Sequence, residues 1–145
     1  CVHQIIRLLN KNNKNTKNVK ISILGFSFKN NSGDIRFSPM INFVDTLIDK
    51  GIDKISIFDS SINSNKMIHE NLTRTHTWEE CVKDSDVIVF GAAHNDIYSI
   101  QMDNLASLAR EGAIVFDGRR YFSKNEIKNL KKLGLTYLGV GRSFE

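Results

Sequence analysis

The feature that most constrains this chain is a regular alternation of short apolar runs with amphipathic segments. Each run has five or six residues and is rich in branched side chains, which is typical of strands buried on both faces of a sheet. Strands that alternate with helices predict a parallel sheet covered by helices on both faces. The predicted strands are Lys20–Gly25, Ile55–Asp59, Asp86–Gly91, Ala113–Asp117 and Leu135–Val140.

Helices are predicted between these strands from apolar residues at helical spacing and from residues that favour helix ends. Ser38 is a plausible N-cap and Pro39 suits the first turn, while Thr77 and Glu80 have the spacing of a capping box. The predicted helices are 1–10, 39–50, one that starts at Thr77, Asp103–Arg110, Ser123–Leu133 and a short one near Asn65–Glu70. We therefore predict a Rossmann-like three-layer α/β/α fold, with a mainly parallel sheet of about five strands and an N-terminal helix.

Residues 1–18 differ in character from the rest of the chain. An amphipathic helix opens the sequence without a capping residue or an initiator Met, and the Lys/Asn-rich stretch 10–18 has no periodicity. We interpret this stretch as a linker or a surface loop. The abrupt start suggests a fragment of a bigger protein, and the 145 residues suit one domain.

Charge and composition exclude several classes of function. The formal net charge of +4 belongs to residues 1–19, because from Lys20 onward there are 16 basic and 16 acidic residues. A nucleic-acid partner is therefore not expected, since it would need a basic face on the domain itself. No apolar run approaches the roughly 20 residues of a membrane span. Cys1 and Cys81 are too few for a disulfide framework or a zinc site, which favours a reducing, cytoplasmic location.

Candidate ligand-binding residues follow the predicted strands. In an open α/β sheet, ligands bind outside the carboxyl ends of the strands, and the loop between Gly25 and Ser38 is much longer than the usual 2–6 residues or so. Cations that converge on one sheet edge suit a diphosphate, although each taken alone could be a solvated surface residue. The candidates, in strand order, are Lys29, Arg36, Asp59, His94, Asn95, Arg119 and Arg120.

The glycine pattern of a dinucleotide site is missing. Gly25 is the only glycine directly after the first strand, and no helix follows Gly139-Val140-Gly141. A tight glycine turn around a pyrophosphate is therefore not expected. Nor does the sequence contain a nucleophile elbow, a metal-ligand cluster or paired carboxylates. The residues alone predict an α/β domain that grips a phosphorylated, nucleotide-like ligand with side chains.

Four single residues have plainer interpretations beside the functional ones. His94 is more simply a satisfied loop histidine than a base, and Asp59 could hold a ribose or only cap a turn. Asp117 is expected to order its own turn. Cys81 is expected to pack inside rather than to react.

Four motifs, taken together, resemble the C-terminal domain of the UDP-glucose/GDP-mannose dehydrogenase family. They are GFSFKNNSGDIRFSP after the first strand, FDSS after the second, CVKDSDVIVFGAAHND around the third and FDGRRYF at the fourth. The resemblance covers roughly residues 19–142. It implies a UDP-sugar-binding domain over 19–145, preceded at 1–18 by the end of a central helix and a linker.

The resemblance also implies a function and roles for individual residues. Members of this family oxidise the C6 hydroxyl of a UDP-sugar to a carboxylate in two NAD-dependent steps, for polysaccharide precursor synthesis. By resemblance, Phe28 and Lys29 contact the UDP-sugar, Arg119 holds the diphosphate or its ribose, and Arg120 is a weaker candidate beside it. Arg36 would reach across the cleft towards NAD.

Departures from the family pattern limit what this stretch can do alone. The resemblance places the catalytic cysteine in a central motif that is absent here, and neither Cys1 nor Cys81 has a matching context. The fragment is expected to have no catalytic residue, with NAD held mainly by a missing N-terminal domain and a homodimer or higher oligomer in the full-length protein. The alternatives are a non-catalytic nucleotide-binding or interaction module and, less favoured without the glycines, a free-standing NAD(P)-binding domain.

Overall fold

The computed structural model describes residues 2–26, 39–60, 72–91, 97, 99–118 and 122–139. Within these ranges, a helix lies between each pair of successive predicted strands, as the sequence indicates. The elements are α1 (Val2–Lys11), β1 (Lys20–Leu24), α2 (Pro39–Asp49), β2 (Lys54–Phe58), β3 (Thr73–Arg74), α3 (Trp78–Val82), β4 (Val87–Phe90), α4 (Met102–Leu108), β5 (Ile114–Asp117), α5 (Lys124–Lys132) and β6 (Thr136–Gly139).

The six strands form one parallel sheet in the order β3-β2-β1-β4-β5-β6. β1 pairs with β2 on one side and with β4 on the other. The direction in which successive strands are added to the sheet therefore reverses between β1 and β4. This is the strand order of a doubly wound dinucleotide-binding fold. The predicted Rossmann-like α/β class is confirmed.

The strands β1, β2, β4, β5 and β6 send alternate side chains to two separate hydrophobic layers. Ile21 and Ile23 of β1 join one layer together with α1 and α2. Leu24 joins the other layer together with residues of α3, α4 and α5. The sheet is thus covered on both faces, and the middle of β1 has no solvent-exposed side.

The N-terminal helix α1 belongs to this core. Its side chains Val2, Ile5, Leu8 and Leu9 are buried in the same layer as β1. The stretch that follows is exposed over most of its length and contains a single 3-10 turn at Thr16–Asn18, capped by the Asn15 side chain. That residues 1–18 form the end of a central helix and a linker stays a prediction.

The structure adds one strand to the predicted five. β3 is only two residues long and pairs with β2 at the sheet edge. It has no apolar run, which is why the pattern of residues does not predict it. The helix predicted near Asn65–Glu70 lies outside the described residues. No helix within the described ranges has the length and hydropathy of a membrane span.

Candidate functional site

Three glycines mark the carboxyl edge of the sheet. Gly25, Gly91 and Gly118 directly follow β1, β4 and β5. Each donates its N–H to a carbonyl of the neighbouring strand: Gly25 to Phe58 at 2.9 Å, Gly91 to Leu24 at 2.9 Å and Gly118 to Phe90 at 3.2 Å. The strands therefore end at matched height, and their loops leave from one edge.

The closest approach at this edge is between the ends of β1 and β4, where the strand order reverses. A Cβ atom built on Gly91 would lie 2.5 Å from the Gly25 carbonyl oxygen and 2.7 Å from the Met40 Sδ atom. A side chain at position 91 would thus force the backbone or Met40 to move. Gly25 itself has a φ of 88°, a conformation that favours glycine. Both glycines are needed for the two strand ends and the first turn of α2 to meet.

The buried carboxylate Asp59 fixes the point where the chain leaves β1. Its side chain is 1% exposed, and its Oδ2 atom accepts the backbone N–H of Phe26 at 2.7 Å. The Phe26 ring is itself fully buried in the α1/α2 layer. Asp59 was considered either as a ligand of a ribose or as a residue that caps a turn, and this hydrogen bond supports the second role.

A second buried carboxylate, Asp117, fixes the loop after β5 in a similar way. Its Oδ2 atom accepts the backbone N–H of Phe122 at 3.2 Å and the hydroxyl of Tyr137 at 2.8 Å. The expectation that Asp117 orders its own turn is confirmed. The pattern of residues does not predict the hydrogen bond from Tyr137, because Tyr137 lies in another strand, twenty residues away along the chain.

Tyr137 of β6 reaches Asp117 across a glycine. Asp117 is paired with Gly139 in the β5–β6 register, and a Cβ atom on Gly139 would lie 2.9 Å from the Cε2 and Cζ atoms of Tyr137. The Tyr137 ring also makes an edge contact with Phe122, at 6.2 Å between centroids. A tyrosine two residues before a glycine in a buried strand was the available signal for this arrangement.

Apart from Asp59, none of the residues predicted to contact the ligand lies in the described ranges. Phe28, Lys29 and Arg36 fall in 27–38, His94 and Asn95 in 92–96, and Arg119 and Arg120 in 119–121. Their assigned roles therefore stay predictions. The structure brings together the ends of β1, β4 and β5, from which these three loops depart. Hydrogen bonds from the three glycines anchor these strand ends.

A cavity of about 320 Å³ lies beside this edge, on the face covered by α4 and α5. Its charged lining residues within the described ranges, Asp103 and Glu126, are both acidic, so they would repel a diphosphate. The Oε1 atom of Glu126 also accepts the N–H of Ser123. The lining residues are Phe90, Ile97, Ile100, Gln101, Met102, Asp103, Phe122, Glu126 and Asn129.

The described cysteine, Cys81, lies inside the protein rather than at the sheet edge. It is fully buried, and its thiol contacts the Ile23 carbonyl at 3.7 Å. Burial raises the pKa of the Cys81 thiol to about 11, although a hydrogen bond with Thr75 acts in the opposite direction. The thiol is therefore protonated at neutral pH, and the prediction that it packs rather than reacts is confirmed. Among the described residues, no three His, Cys, Asp or Glu side chains are grouped as metal ligands would be.

Comparison with known proteins identifies what this arrangement is similar to. Residues 22–124 match the sequence model of the UDP-glucose/GDP-mannose dehydrogenase family, UDP binding domain. The GDP-mannose 6-dehydrogenase of Pseudomonas syringae pv. tomato is 32% identical over 110 residues, which are 68% of this chain and 24% of that protein. The UDP-glucose 6-dehydrogenase of Rhizobium meliloti is 28% identical over 123 residues, covering 85% of this chain and 27% of that protein.

A solved structure extends the likeness to the fold of nearly the whole chain. An NDP-N-acetyl-D-galactosaminuronic acid dehydrogenase from Methanosarcina mazei Go1 superposes with a TM-score of 0.83 at 22% identity. The superposition covers 98% of this chain and 28% of the archaeal one. This chain thus spans about a quarter of the length of the proteins it matches.

Proposed function

Because this chain belongs to the UDP-glucose/GDP-mannose dehydrogenase family and contains its UDP binding domain, we propose that it holds the nucleotide half of a UDP-sugar. The protein that it serves would be an NAD-dependent 6-dehydrogenase, which oxidises the sugar C6 hydroxyl to a carboxylate for polysaccharide precursor synthesis. The four-electron chemistry would take place outside this stretch, which has no matching catalytic cysteine.

The observation that carries this proposal is the extent of the family match. Residues 22–124 begin inside β1 and end at the first residue of α5. The match therefore includes all three loops that leave the carboxyl edge, together with the anchors Asp59 and Asp117. Ligands of open α/β sheets bind at this edge, where the strand order reverses.

Each residue to which the family resemblance assigns a contact has a role under this proposal. Lys29 and Arg119 supply positive charge for the diphosphate, with Arg120 as a weaker candidate, and guanidinium groups can bind phosphate oxygens in bidentate fashion. Phe28 contacts the UDP-sugar beside Lys29. Arg36 reaches towards NAD across the cleft.

Cofactor and partners follow from the family. The family and the matched relatives are named as dehydrogenases, the family resemblance implies NAD as the cofactor, and the sequence after β1 lacks the glycine pattern of a dinucleotide turn. NAD would therefore be held mainly by another domain of the same enzyme. A homodimer or higher oligomer in the cytoplasm completes the proposal.

The experiment that tests it is calorimetric titration of the intact protein with UDP, GDP and NAD. We expect UDP to bind more tightly than GDP, with NAD at a separate site that UDP does not block. Tighter binding of GDP would place the chain with the GDP-mannose enzymes among its relatives. A protein that binds NAD and ignores both nucleoside diphosphates would contradict the proposal.

Replacing one loop cation gives a sharper test. Arg119→Ala should weaken UDP binding by roughly 1.5–3 kcal/mol, the usual range for a hydrogen bond to a charged group. Arg7→Ala is a matched control, because Arg7 is an exposed arginine on α1. Equal UDP affinity in the two variants would remove Arg119 from the site.

A further inference from the structure

We propose that Asp117 and Tyr137 are positioning residues for nucleotide binding, acting through the loop that carries Arg119 and Arg120. This inference rests on the proposed function and adds residues from β5 and β6 to the site. Neither side chain is expected to touch the nucleotide, because both are buried.

The loop in question is short and is anchored at both ends. Before it, the Gly118 N–H binds the Phe90 carbonyl at 3.2 Å. After it, the Phe122 N–H binds the Asp117 carboxylate at 3.2 Å. Only residues 119–121 lie between these two hydrogen bonds, so the anchors fix the chain at Gly118 and at Phe122, on either side of the two arginines in the sequence.

Tyr137 orients the Asp117 carboxylate, which is the acceptor of the second of these hydrogen bonds. Its hydroxyl donates at 2.8 Å to Oδ2 of Asp117, the same atom that accepts the Phe122 N–H. A carboxylate with two donors on one oxygen has little freedom to rotate. Buried polar groups of this kind specify one geometry when they are satisfied and are costly when they are not.

Aromatic packing supports the same geometry from the side. The Phe122 ring makes edge contacts with Phe90, at 5.0 Å between centroids, and with Tyr137, at 6.2 Å. Phe90 is the last residue of β4. The hydrogen bonds of Asp117 and the ring contacts of Phe122 thus connect the ends of β4, β5 and β6. A change in these contacts alters the point at which the chain resumes after the two arginines.

Tyr137→Phe separates positioning from folding, since it removes one hydroxyl and keeps the ring contacts. We expect calorimetry on the intact protein to show UDP affinity reduced about fivefold, the loss typical of one hydrogen bond. Ser22→Ala is the matched control, because it removes a buried hydroxyl that donates to the Cys81 carbonyl in the sheet interior. The control should lower thermal stability and leave UDP affinity unchanged.

Two further comparisons make the inference falsifiable. Tyr137→Phe should cause no additional loss of UDP affinity in the background of the arginine through which it acts, Arg119→Ala or Arg120→Ala, and should keep its full effect in the other background. Asp117→Asn, which keeps one oxygen acceptor, should weaken UDP binding less than Asp117→Ala does. Wild-type affinity in Tyr137→Phe would overturn the inference while leaving the proposed function intact. A wild-type protein that binds neither UDP nor GDP would contradict the proposed function, and the positioning role with it.

Discussion

At the scale of single residues, buried carboxylates organise the backbone at both edges of the sheet. Asp59 and Asp117 accept N–H groups at the carboxyl edge, and Asp86 accepts the Lys20 N–H at the amino edge at 3.0 Å. A buried carboxylate is costly unless it is hydrogen-bonded. Among the described residues, every buried side-chain nitrogen or oxygen has a hydrogen-bond partner. These aspartates therefore act as fixed acceptors for backbone donors.

Part of this could be predicted from the sequence. Turn-ordering by Asp117 was expected from its position at a strand end, and the same role was one of two considered for Asp59. Tyr137 could not be assigned, because its hydroxyl reaches Asp117 only after β5 and β6 pair in the observed register. Gly139 is not expected to be a cofactor glycine, because no helix follows it in the sequence, and the space that it leaves for the Tyr137 ring explains its presence.

The buried thiol of Cys81 makes the free energy of unfolding depend on pH in the alkaline range. Its pKa rises on folding from 9.0 to about 11, so the folded state keeps a proton that the unfolded state loses. The contribution of the protonated thiol to the stability of the folded state is complete below about pH 9 and is lost as pH rises through about 11. We expect the free energy of unfolding of the wild type to fall by roughly 2–3 kcal/mol relative to Cys81→Ala over this window. Chemical denaturation of both proteins at several pH values measures this difference in the free energy of unfolding. The same pH dependence in the wild type and in Cys81→Ala would contradict the prediction.

At the scale of elements, apolar runs and caps predict most of the strands and helices to within a residue or two. The capping residue Thr77 accepts the Glu80 N–H as predicted. The short strand β3 has no local sequence pattern that predicts it. Thr73 and Arg74 form a strand because they pair with Ser56 and Ile57 of β2. Residues 61–71 lie outside the described ranges, so the helix predicted there stays a prediction.

The N-terminus of α5 offers a test of local capping. Ser123 accepts the Glu126 N–H at 3.2 Å and Glu126 accepts the Ser123 N–H at 2.9 Å, a complete capping box. Ser123→Ala should lower the free energy of unfolding by about 1 kcal/mol. Ser107→Ala, at an exposed α4 serine that donates to the Asn104 carbonyl, should change it by less than about 0.5 kcal/mol. Urea denaturation compares the two, and equal effects would mean that the box adds no stability.

At the scale of the whole molecule, α1 and the sheet form one packed unit within the described residues. The α1 side chains Leu8 and Leu9 are buried in the same layer as Ile21 and Val44. The amphipathic spacing of α1 was evident from the sequence. Its packing partner was not, because the polar stretch that follows favours a linker.

Leu9 is the residue that tests this packing. It is 1% exposed, so Leu9→Ala should lower the free energy of unfolding by about 2–5 kcal/mol through a lost contact and a new cavity. Its neighbour Asn10 is exposed on the same helix, and Asn10→Ala should leave stability nearly unchanged. Thermal or urea unfolding of both variants provides the measurement. A Leu9→Ala protein as stable as Asn10→Ala would show that α1 does not contribute to the core in solution.

The placement of β1 at the centre of an all-parallel sheet has a consequence for how the chain folds. β1 is made before β2, β3 and α3, yet its β4 partner, from Val87 to Phe90, comes after all of them. Such distant pairing requires large loops to close before any contact is gained, and it makes folding slow. During synthesis, the apolar strand Lys20–Leu24 therefore waits with one edge open until β4 has been made. An open apolar strand edge of this kind is exposed to aggregation during that interval.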